Sequence, residues 1–150
     1  WQQEGCAAYQ QMVSRLRTAG EMAKQEGITI GIRTGMGAKF DKKLLKKVGS
    51  SQIKVYYNFQ DAADHHRDIC KELRKLGAQR IVQIHASNTD SVNLQEDPEI
   101  NLPKIRKTLD KMKWSGWLVV ERSRDVKRVR DVKYNFGRNI AYLKQVFQER

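Results

Sequence analysis

Four short apolar segments, each followed by a helical pattern, restrict the fold of this chain more than any other feature. The apolar segments cover 28–34, 53–59, 81–87 and 116–123. The helical patterns behind them cover about 41–48, 63–76, 102–113 and 130–148, and one more precedes the first segment at 5–26. Strands that alternate with helices predict parallel strands with the helices packed outside them. Residues 1–150 are therefore predicted to form a single α/β domain, with one helix ahead of four strand-and-helix units.

The two faces of the predicted strands differ in polarity, because side chains alternate between the faces along a strand. One face is almost wholly apolar, as expected beneath helices, and carries Ile28, Ile30, Ile32, Ile53, Val55, Tyr57, Val82, Ile84, Leu118 and Val120. The other face mixes apolar residues such as Ile81 and Trp117 with polar ones, and its strands end in Arg33, Asn58, His85 and Glu121. An open sheet with helices on both sides would be apolar on both faces. A polar second face instead predicts the interior of a parallel barrel.

Four strands are too few to close such a barrel, which normally has eight. The chain is therefore expected to form half of a (β/α)8 barrel. The other half is expected either to be absent from this chain or to be supplied by another chain, such as a second copy. Because parallel β/α barrels build their active sites at the carboxyl ends of the strands, one mouth is predicted to be surrounded by Arg33, Asn58, His85 and Glu121.

The net charge of +12 raises the question of an anionic partner, because basic surfaces attract nucleic acids, anionic membranes and anionic substrates. The charge is dispersed, and its densest runs, at 41–49 and 122–133, are interpreted as a solvated helix face and a basic loop. Neither run is interleaved with the aromatic residues that stack on bases, so nucleic acid is disfavoured as a partner. No segment approaches the roughly 18 consecutive apolar residues of a membrane span, so no membrane association is expected.

The two cysteines, Cys6 and Cys70, lie within helical patterns and lack metal-ligand spacing. Both are expected to be small buried hydrophobic residues without a disulfide between them. The chain begins at Trp1 rather than at Met, so the natural N-terminus is expected to be missing. The compartment is left open, since the cytoplasm and the bacterial periplasm are both compatible with the sequence.

Four segments of the second and later units read IKVYYNFQDA, RIVQIHASN, INLPKIRKTLDKMKWSGWLVVE and NIAYLKQVF. Together they resemble the second half of the xylose isomerase-like TIM barrels, a family of sugar phosphate isomerases and epimerases that is grouped with the family 2 apurinic endonucleases. The similarity in order and spacing covers essentially the whole chain from the first helix onward. The resemblance implies the C-terminal half of a TIM barrel, with a sugar or sugar phosphate as its ligand.

The resemblance also implies a metal site, since four strand ends of the family carry Glu, Asp, His and Glu around Mn²⁺, Mg²⁺, Co²⁺ or Zn²⁺. The two Glu residues move a proton between neighbouring sugar carbons. By position, His85 and Glu121 match the last two residues, and they would be catalytic and, if a metal is retained, its ligands. Asn58 stands at the Asp position and Arg33 at the first Glu position. Because this exchange shifts the charge of the site by about three units and opposes a hard cation, we expect a degenerate metal site and no cofactor.

Six residues are candidates for binding the ligand, namely Arg33, Asn58, Asp61, Ser87, Asn88 and Arg122. Arg33 could pair with Glu121, or it could hold a carboxylate or phosphate of a ligand by a bidentate contact. Asp61 could contact the ligand or cap a helix. Ser87 and Asn88 offer hydrogen bonds to sugar hydroxyls, but they are also common turn residues.

Three functions are compatible with these residues. The first is a sugar or sugar phosphate isomerase or epimerase in which Glu121 acts as the base and His85 as its acid or hydrogen-bonding partner. The second is a non-catalytic or metal-free member that binds an anionic carbohydrate through Arg33. The third, an apurinic endonuclease-like enzyme, is the weakest. That branch of the family holds a cluster of metal ions with several more His, Asp and Glu ligands, and this chain has only 3 His.

Overall fold

Four parallel strands form one sheet in the computed structural model, which describes residues 5–149. The strands lie side by side in chain order and are β1 (Ile30–Ile32), β2 (Ile53–Asn58), β3 (Ile81–His85) and β4 (Trp117–Val119). The α-helices of the described part are α1 (Ala7–Gln25), α2 (Ala38–Val48), α3 (Phe59–Ala63), α4 (Ile69–Leu76), α5 (Leu102–Lys111) and α6 (Val132–Phe147). One leading helix and four parallel strands, each followed by helix, confirm the predicted α/β half barrel.

The hydrophobic core lies between the sheet and the helices. Helix α2 buries Leu44, Leu45 and Val48, and helix α4 buries Ile69, Cys70, Leu73 and Leu76. The strands meet these helices with Ile53, Val55, Tyr57 and Ile84. Because each large apolar side chain contributes roughly 1.5–3 kcal/mol when it is fully buried, this layer holds the strands in place. Their opposite face is left to form the barrel interior.

A β-bulge between β2 and β3 makes the predicted faces of Ile81 and Val82 wrong. Val55 pairs with Ile81, but the next residue of β2, Tyr56, pairs with Gln83, so Val82 is the extra residue of the bulge. Ile81 is only 4% exposed and belongs to the core, although strict alternation placed it in the interior. The sequence alone does not reveal this bulge, because an apolar residue such as Val82 is compatible with either face of the sheet.

The bulge brings the end of β3 into phase with the end of β2. Val82 lies over Gly31, where a Cβ would stand 2.9 Å from Val82 Cγ1, so only glycine leaves enough space at this position. Beyond the bulge, Ile84 is buried in the core and His85 pairs in register with Asn58. The two polar side chains therefore leave the sheet on the same face.

The helical periodicity of α6 predicts a buried face of Val132, Phe136, Ile140, Leu143 and Phe147, and the structure confirms it only in part. Leu143 is buried and Phe147 packs against the core. Val132 and Ile140 are 60% and 44% exposed, whereas Asn135, Asn139 and Leu143 are the buried residues of the helix. The physical reason is the irregular backbone after β3 and β4. Its polar groups need hydrogen-bond partners, and the two inward asparagines supply them.

The helix predicted over 63–76 is divided into α3 and α4. The intervening turn contains His66, whose φ of 51° lies in the left-handed region. Helix α4 then begins with Asp68 as its N-cap, since the Asp68 side chain accepts a hydrogen bond from the backbone N–H of Lys71. The break turns the chain at the rim of the sheet and places Arg67 beside the loop that follows β1.

The two outer strands, β1 and β4, each pair with one neighbour within the described residues. Large apolar side chains are exposed close to both strands in the chain, with Ile28 54% exposed two residues before β1 and Trp117 77% exposed at the start of β4. Unpaired strand edges and exposed apolar side chains are surfaces that proteins normally cover. We call the two uncovered strand edges, at β1 with Ile28 and at β4 with Trp117, the seams of the half barrel.

Among the described residues, no helix combines the length and the apolar character that a membrane crossing requires. Both cysteines are free, and Cys70 is buried as expected. The expectation for Cys6 was wrong, because Cys6 is half-buried and is the N-cap of α1. Its Sγ accepts a hydrogen bond from the backbone N–H of Tyr9 at 3.4 Å.

Candidate functional site

Polar side chains from all four strand ends converge at the carboxyl edge of the sheet. Asn58 Nδ2 lies 3.1 Å from His85 Nδ1, and the same ring nitrogen lies 3.4 Å from Glu121 Oε2. Arg33 is close enough for Glu121 to contribute to the raised pKa of its guanidinium, although the first cause is Asp61. We call Arg33, Asn58, Asp61, His85 and Glu121 the mouth.

Asn58 is held at the mouth by the start of helix α3. Its side-chain Oδ1 accepts a hydrogen bond of 2.7 Å from the backbone N–H of Gln60 and one of 3.4 Å from that of Asp61. Asn58 is thus the N-cap of α3 and is only 2% exposed. A residue predicted to bind ligand is therefore also a buried structural residue of the strand end.

Arg33 and Asp61 form a bidentate ion pair across the mouth. Arg33 Nε donates to Asp61 Oδ2 at 2.8 Å, and Arg33 Nη2 donates to Asp61 Oδ1 at 2.6 Å. Asp61 does not cap α3, and the guanidinium is paired with Asp61 rather than with Glu121. Since Glu121 adds a second carboxylate, the mouth carries a net negative charge when His85 is neutral.

His85 lies against the ring of Tyr56, with the ring centroids 4.1 Å apart and the planes tilted by 46°. Burial lowers the pKa of His85, and Arg33 lowers it further, whereas Glu121 and Asp61 oppose this effect. His85 is therefore mainly neutral at pH 7. Tyr56 was not among the predicted site residues, although strand alternation places it two residues before Asn58 on the same interior face.

Within residues 5–149, no hydrogen bond or ion pair joins Ser87, Asn88 or Arg122 to the mouth residues. Ser87 is fully buried, and its Oγ has no hydrogen-bond partner within the described residues. Asn88 Nδ2 donates to Asp97 Oδ2 at 3.0 Å and to Glu99 Oε2 at 3.1 Å, within its own loop. These contacts give Asn88 a structural role. The ligand-binding role predicted for Ser87 and Asn88 stays a prediction.

Arg122 is paired with Asp90 at the rim. Arg122 Nη2 donates to Asp90 Oδ2 at 3.1 Å, and Arg124 contacts the same carboxylate through Nε at 2.8 Å and through Nη2. The hydrogen bond from Arg124, followed by that from Arg122, lowers the pKa of Asp90 to about 2. The side chain of Arg122 is 43% exposed, so part of its guanidinium still faces solvent.

A buried asparagine network supports the backbone that leaves β4. Ser123 has a φ of 75°, which is unusual for a residue other than glycine. Its carbonyl oxygen accepts hydrogen bonds from Asn139 Nδ2 at 2.7 Å and from Asn93 Nδ2 at 3.2 Å. Sequence reasoning missed this network. The available signal was a pair of asparagines, Asn135 and Asn139, four positions apart on a helix, where asparagine is otherwise unfavourable.

A second, partly buried network supports the loop that carries Arg33. Arg67 Nη2 donates to the carbonyl oxygens of Gly35 and Asp61, at 3.1 and 2.7 Å, and thereby joins the two segments of the Arg33–Asp61 pair. Glu72 accepts from Arg67 Nε at 3.3 Å and from the backbone N–H of Ala38 at 3.0 Å. These contacts fix the loop after β1 against helices α2 and α4.

Asp41 stands at the start of the helical pattern over 41–48, which predicts an N-cap, but it lies inside helix α2 and is buried. The helix begins after Gly37, which is its N-cap. Asp41 Oδ1 accepts a hydrogen bond of 2.5 Å from Thr34 Oγ1. Burial raises the pKa of Asp41 to about 6, and the Thr34 hydrogen bond opposes this effect while Glu72 adds to it.

Replacement of Asp41 by Asn is expected to stabilise the protein above about pH 6 and to change little near pH 4. Because the pKa of Asp41 is higher in the folded than in the unfolded state, the stability of the native protein falls as pH rises from about 4 through 6. The stability that the native protein loses in this way corresponds to roughly 3 kcal/mol at most. Thermal unfolding between pH 4 and 8 measures it, with exposed Asp110→Asn as the control. A destabilised D41N variant at pH 8 would contradict the expectation.

The chain matches the sequence profile described as xylose isomerase-like TIM barrel over residues 1–146. Its fold is similar to a D-psicose 3-epimerase in the presence of D-fructose, with a TM-score of 0.77 and 15% identity over 98% of this chain and 60% of that chain. It is also similar to an AP endonuclease, family 2, from Brucella melitensis, with a TM-score of 0.69 and 16% identity over 90% of this chain and 57% of that chain.

A third similar structure is the apo form of 3-keto-D-glucoside 4-epimerase from E. coli, with a TM-score of 0.67 and 11% identity over 91% of this chain and 53% of that chain. No curated protein matches the chain. At identities this low, the similarity to these structures shows the fold and nothing about the function. The chain spans between 53% and 60% of the three structures, which agrees with the predicted half of a TIM barrel.

The donors at the mouth do not fit a hard divalent cation. Asn58 Oδ1 already accepts two backbone hydrogen bonds, and both oxygens of Asp61 are taken by Arg33. What is left is His85 and Glu121 beside a guanidinium, whereas hard cations require several oxygen ligands. Within residues 5–149, no group of three or more His, Cys, Asp and Glu side chains is arranged to hold a metal ion.

Proposed function

We propose that this chain, which belongs to the xylose isomerase-like TIM barrel family, supplies the catalytic mouth of a sugar isomerase that works without the divalent cation of the family. The observation that carries the proposal is the contact of His85 Nδ1 with Glu121 Oε2, at 3.4 Å, where the strand ends converge. The two side chains provide a hydrogen-bonding imidazole and a carboxylate base at one point of the barrel edge. This is the pair that a proton transfer beside a carbonyl group requires.

An uncharged sugar suits the mouth better than a sugar phosphate or another anion. Arg33 is neutralised by Asp61 through two hydrogen bonds, and Glu121 adds an uncompensated negative charge. An anionic ligand would therefore be repelled at the mouth despite the positive charge of the whole chain. D-fructose, which is present in the D-psicose 3-epimerase structure, is an uncharged ketose of this kind.

The chemistry that we propose needs one base. Glu121 removes a proton from C1, beside the ketose carbonyl, the electron pair of the C–H bond forms the C1=C2 bond, and the carbonyl oxygen on C2 takes the displaced electron pair as an enediolate that accepts a hydrogen bond from His85. The hydroxyl proton on the C1 oxygen then moves to the C2 oxygen, and the electron pair of that O–H bond forms the C=O bond at C1. The electron pair of the C1=C2 bond takes the proton back from Glu121 at C2 on the same face, which yields the aldose. Inversion at one carbon would need a second base on the opposite face, and Arg33 stands where the resemblance implied that base.

Binding without turnover is the second candidate. The observation that favours it is the exposure of the Glu121 side chain, which is 48% in the half barrel, because a base that stays in water is a weak catalyst. Under this alternative, the same residues bind a sugar but no proton is transferred. Nucleic-acid cleavage has less support, because the donor set lacks the ligands of a metal cluster.

A second half barrel is part of the proposal, since the two seams require a cover. Parallel strands would extend the sheet at the free edges of β1 and β4 and would bury Ile28 and Trp117. The cover could be another segment of a longer chain or a second copy of this one. In either case it would reduce the exposure of Glu121 and exclude water from the mouth.

The proposed function is tested by incubating the protein with D-fructose in D₂O that contains EDTA and following the sugar by NMR. We expect deuterium at C1 of the ketose and the appearance of the aldose, without an epimer at C3. An epimer at C3 would contradict the single-base mechanism, and activity that disappears with EDTA and returns with Mn²⁺ would contradict metal independence. Sugar binding without any exchange would establish the second candidate instead.

A further inference from the structure

The orientation of the Asn58 amide is determined by the helix that it caps. Its Oδ1 accepts the backbone N–H groups of Gln60 and Asp61, and only the oxygen of a side-chain amide can accept a hydrogen bond. The amide nitrogen must therefore be the atom that faces His85 Nδ1, at 3.1 Å. The ambiguity between oxygen and nitrogen that usually affects asparagine is removed here by two backbone donors.

This orientation decides which nitrogen of neutral His85 carries the proton. An amide NH₂ group only donates, so Nδ1 must accept and must have a free electron pair. The proton of the neutral imidazole then resides on Nε2. Nε2 makes no hydrogen bond within the described residues, and it is not one of their buried polar atoms without a partner, so it is accessible from the mouth.

Glu121 competes for the same ring nitrogen. Its Oε2 lies 3.4 Å from Nδ1, and a carboxylate favours a protonated nitrogen because it can only accept. Asn58 is closer, and it is anchored by the helix, whereas Glu121 is half exposed. The amide of Asn58 favours an unprotonated Nδ1 and the carboxylate of Glu121 favours a protonated one, and the closer, anchored amide has the stronger effect.

We infer that Asn58 is a positioning residue, which the N-terminus of α3 holds so that neutral His85 keeps its proton on Nε2. The inference concerns the resting site and stands whether or not the proposed isomerisation occurs. His85 then offers an N–H donor to an acceptor oxygen of a ligand. It also leaves Glu121 without a proton donor, which preserves this carboxylate as a base.

The same tautomer keeps His85 from binding a cation. A neutral imidazole has one free electron pair, and Asn58 occupies it at Nδ1, while Nε2 carries the proton. Histidines that bind metals usually donate their other N–H to a carboxylate or carbonyl, which is the reverse of this arrangement. Asn in place of Asp thus removes two ligands from the inherited site, its own carboxylate and the imidazole.

The inference is tested by ¹⁵N NMR of the histidine rings at about pH 8.5, roughly two units above the ordinary histidine pKa. In a long-range ¹H–¹⁵N spectrum, the protonated ring nitrogen is identified by its upfield shift and its couplings to the ring protons. We expect the Nε2–H form of His85 in about tenfold excess. His65 is an internal control, because its Nδ1 lies 2.9 Å from the carbonyl oxygen of Asp61 and must donate there.

Two variants separate the positioning role from the helix cap, since Asp and Ser are both good N-caps. In Asn58→Asp, the second carboxylate oxygen can only accept, and the proton of His85 is expected to move to Nδ1. In Asn58→Ser, the hydroxyl is too short to reach the ring, and Glu121 is expected to draw the proton partly onto Nδ1. His65 should keep its tautomer in both variants.

Three outcomes would overturn the inference. One is a native His85 that carries its proton on Nδ1. The second is an Asn58→Asp variant that folds, as shown by an unchanged His65 signal, and yet leaves the Nε2–H form of His85 in place. The third is an Asn58→Ser variant with the native tautomer, since the amide would then be unnecessary.

Discussion

Replacement of Glu121 by Gln is expected to slow the conversion of D-fructose into the aldose by about 10²- to 10⁴-fold, the usual contribution of a general base. Glutamine has nearly the same shape as glutamate, but its amide cannot accept the proton from the sugar carbon. Sugar affinity should change by only a few-fold, because the amide oxygen still accepts hydrogen bonds. The loss should therefore appear in kcat rather than in KM.

Glu96→Gln is the matched control for this variant. The side chains of Glu96 and Glu121 are both 48% exposed, and each contacts one nitrogen-bearing partner. Glu96 pairs with Arg138 away from the mouth, so its replacement should leave the rate of isomerisation within about twofold. A Glu121→Gln variant that exchanges deuterium at the native rate would assign the base to another residue.

Replacement of Asn135 by Ala is expected to lower the stability of the protein by about 3 kcal/mol, which corresponds to a fall in Tm of roughly 6–12 °C. Asn135 is fully buried, and its Oδ1 accepts hydrogen bonds from Asn93 Nδ2 at 3.0 Å and from the backbone N–H of Asp125 at 2.9 Å. Its Nδ2 donates to the carbonyl oxygens of Arg128 and Asp131, at 2.7 and 2.9 Å. Alanine would leave the backbone N–H of Asp125 without a partner and would remove one hydrogen bond from each of the other three groups. One unsatisfied buried group costs about 1–3 kcal/mol, and each lost hydrogen bond adds about 0.5–1.5 kcal/mol.

Denaturation by heat and by urea measures this effect, with Gln145→Ala on the exposed face of the same helix as the control. Surface substitutions usually change stability by less than about 0.5 kcal/mol. An Asn135→Ala protein as stable as the control would show that water replaces the side chain at little cost. Because the network holds the backbone after β4, we also expect the contact between His85 and Glu121 to loosen in the variant.

The strand ends of the mouth could be predicted because a side-chain period of two is simple to count. Asn58 and His85 are the last residues of their strands, and Arg33 and Glu121 lie just beyond theirs. Alternation and parallel pairing were therefore sufficient to bring the four polar side chains together. The division of the helices over 63–76 was not predictable in the same way, because it depends on a single left-handed residue.

The partners of these side chains could not be predicted, because they come from segments with no period of their own. Asp61 binds Arg33 from the first turn of a short helix, and Arg67 joins the two segments from a turn. The inward asparagines of α6 were missed for a related reason. Apolar residues were assumed to face inward, whereas the buried side of this helix meets loops whose polar groups require hydrogen bonds.

The extra residue in β3 has a consequence for how this strand can change in length. Removal of Val82 would leave Ile81, Gln83, Ile84 and His85 in unbroken alternation, so that the imidazole would keep its direction. Removal of Gln83 would have the same result, because Val82 would then stand between Ile81 and Ile84 on the interior face. Evolution can therefore shorten the strand by one residue at either position of the bulge without losing the histidine from the cavity.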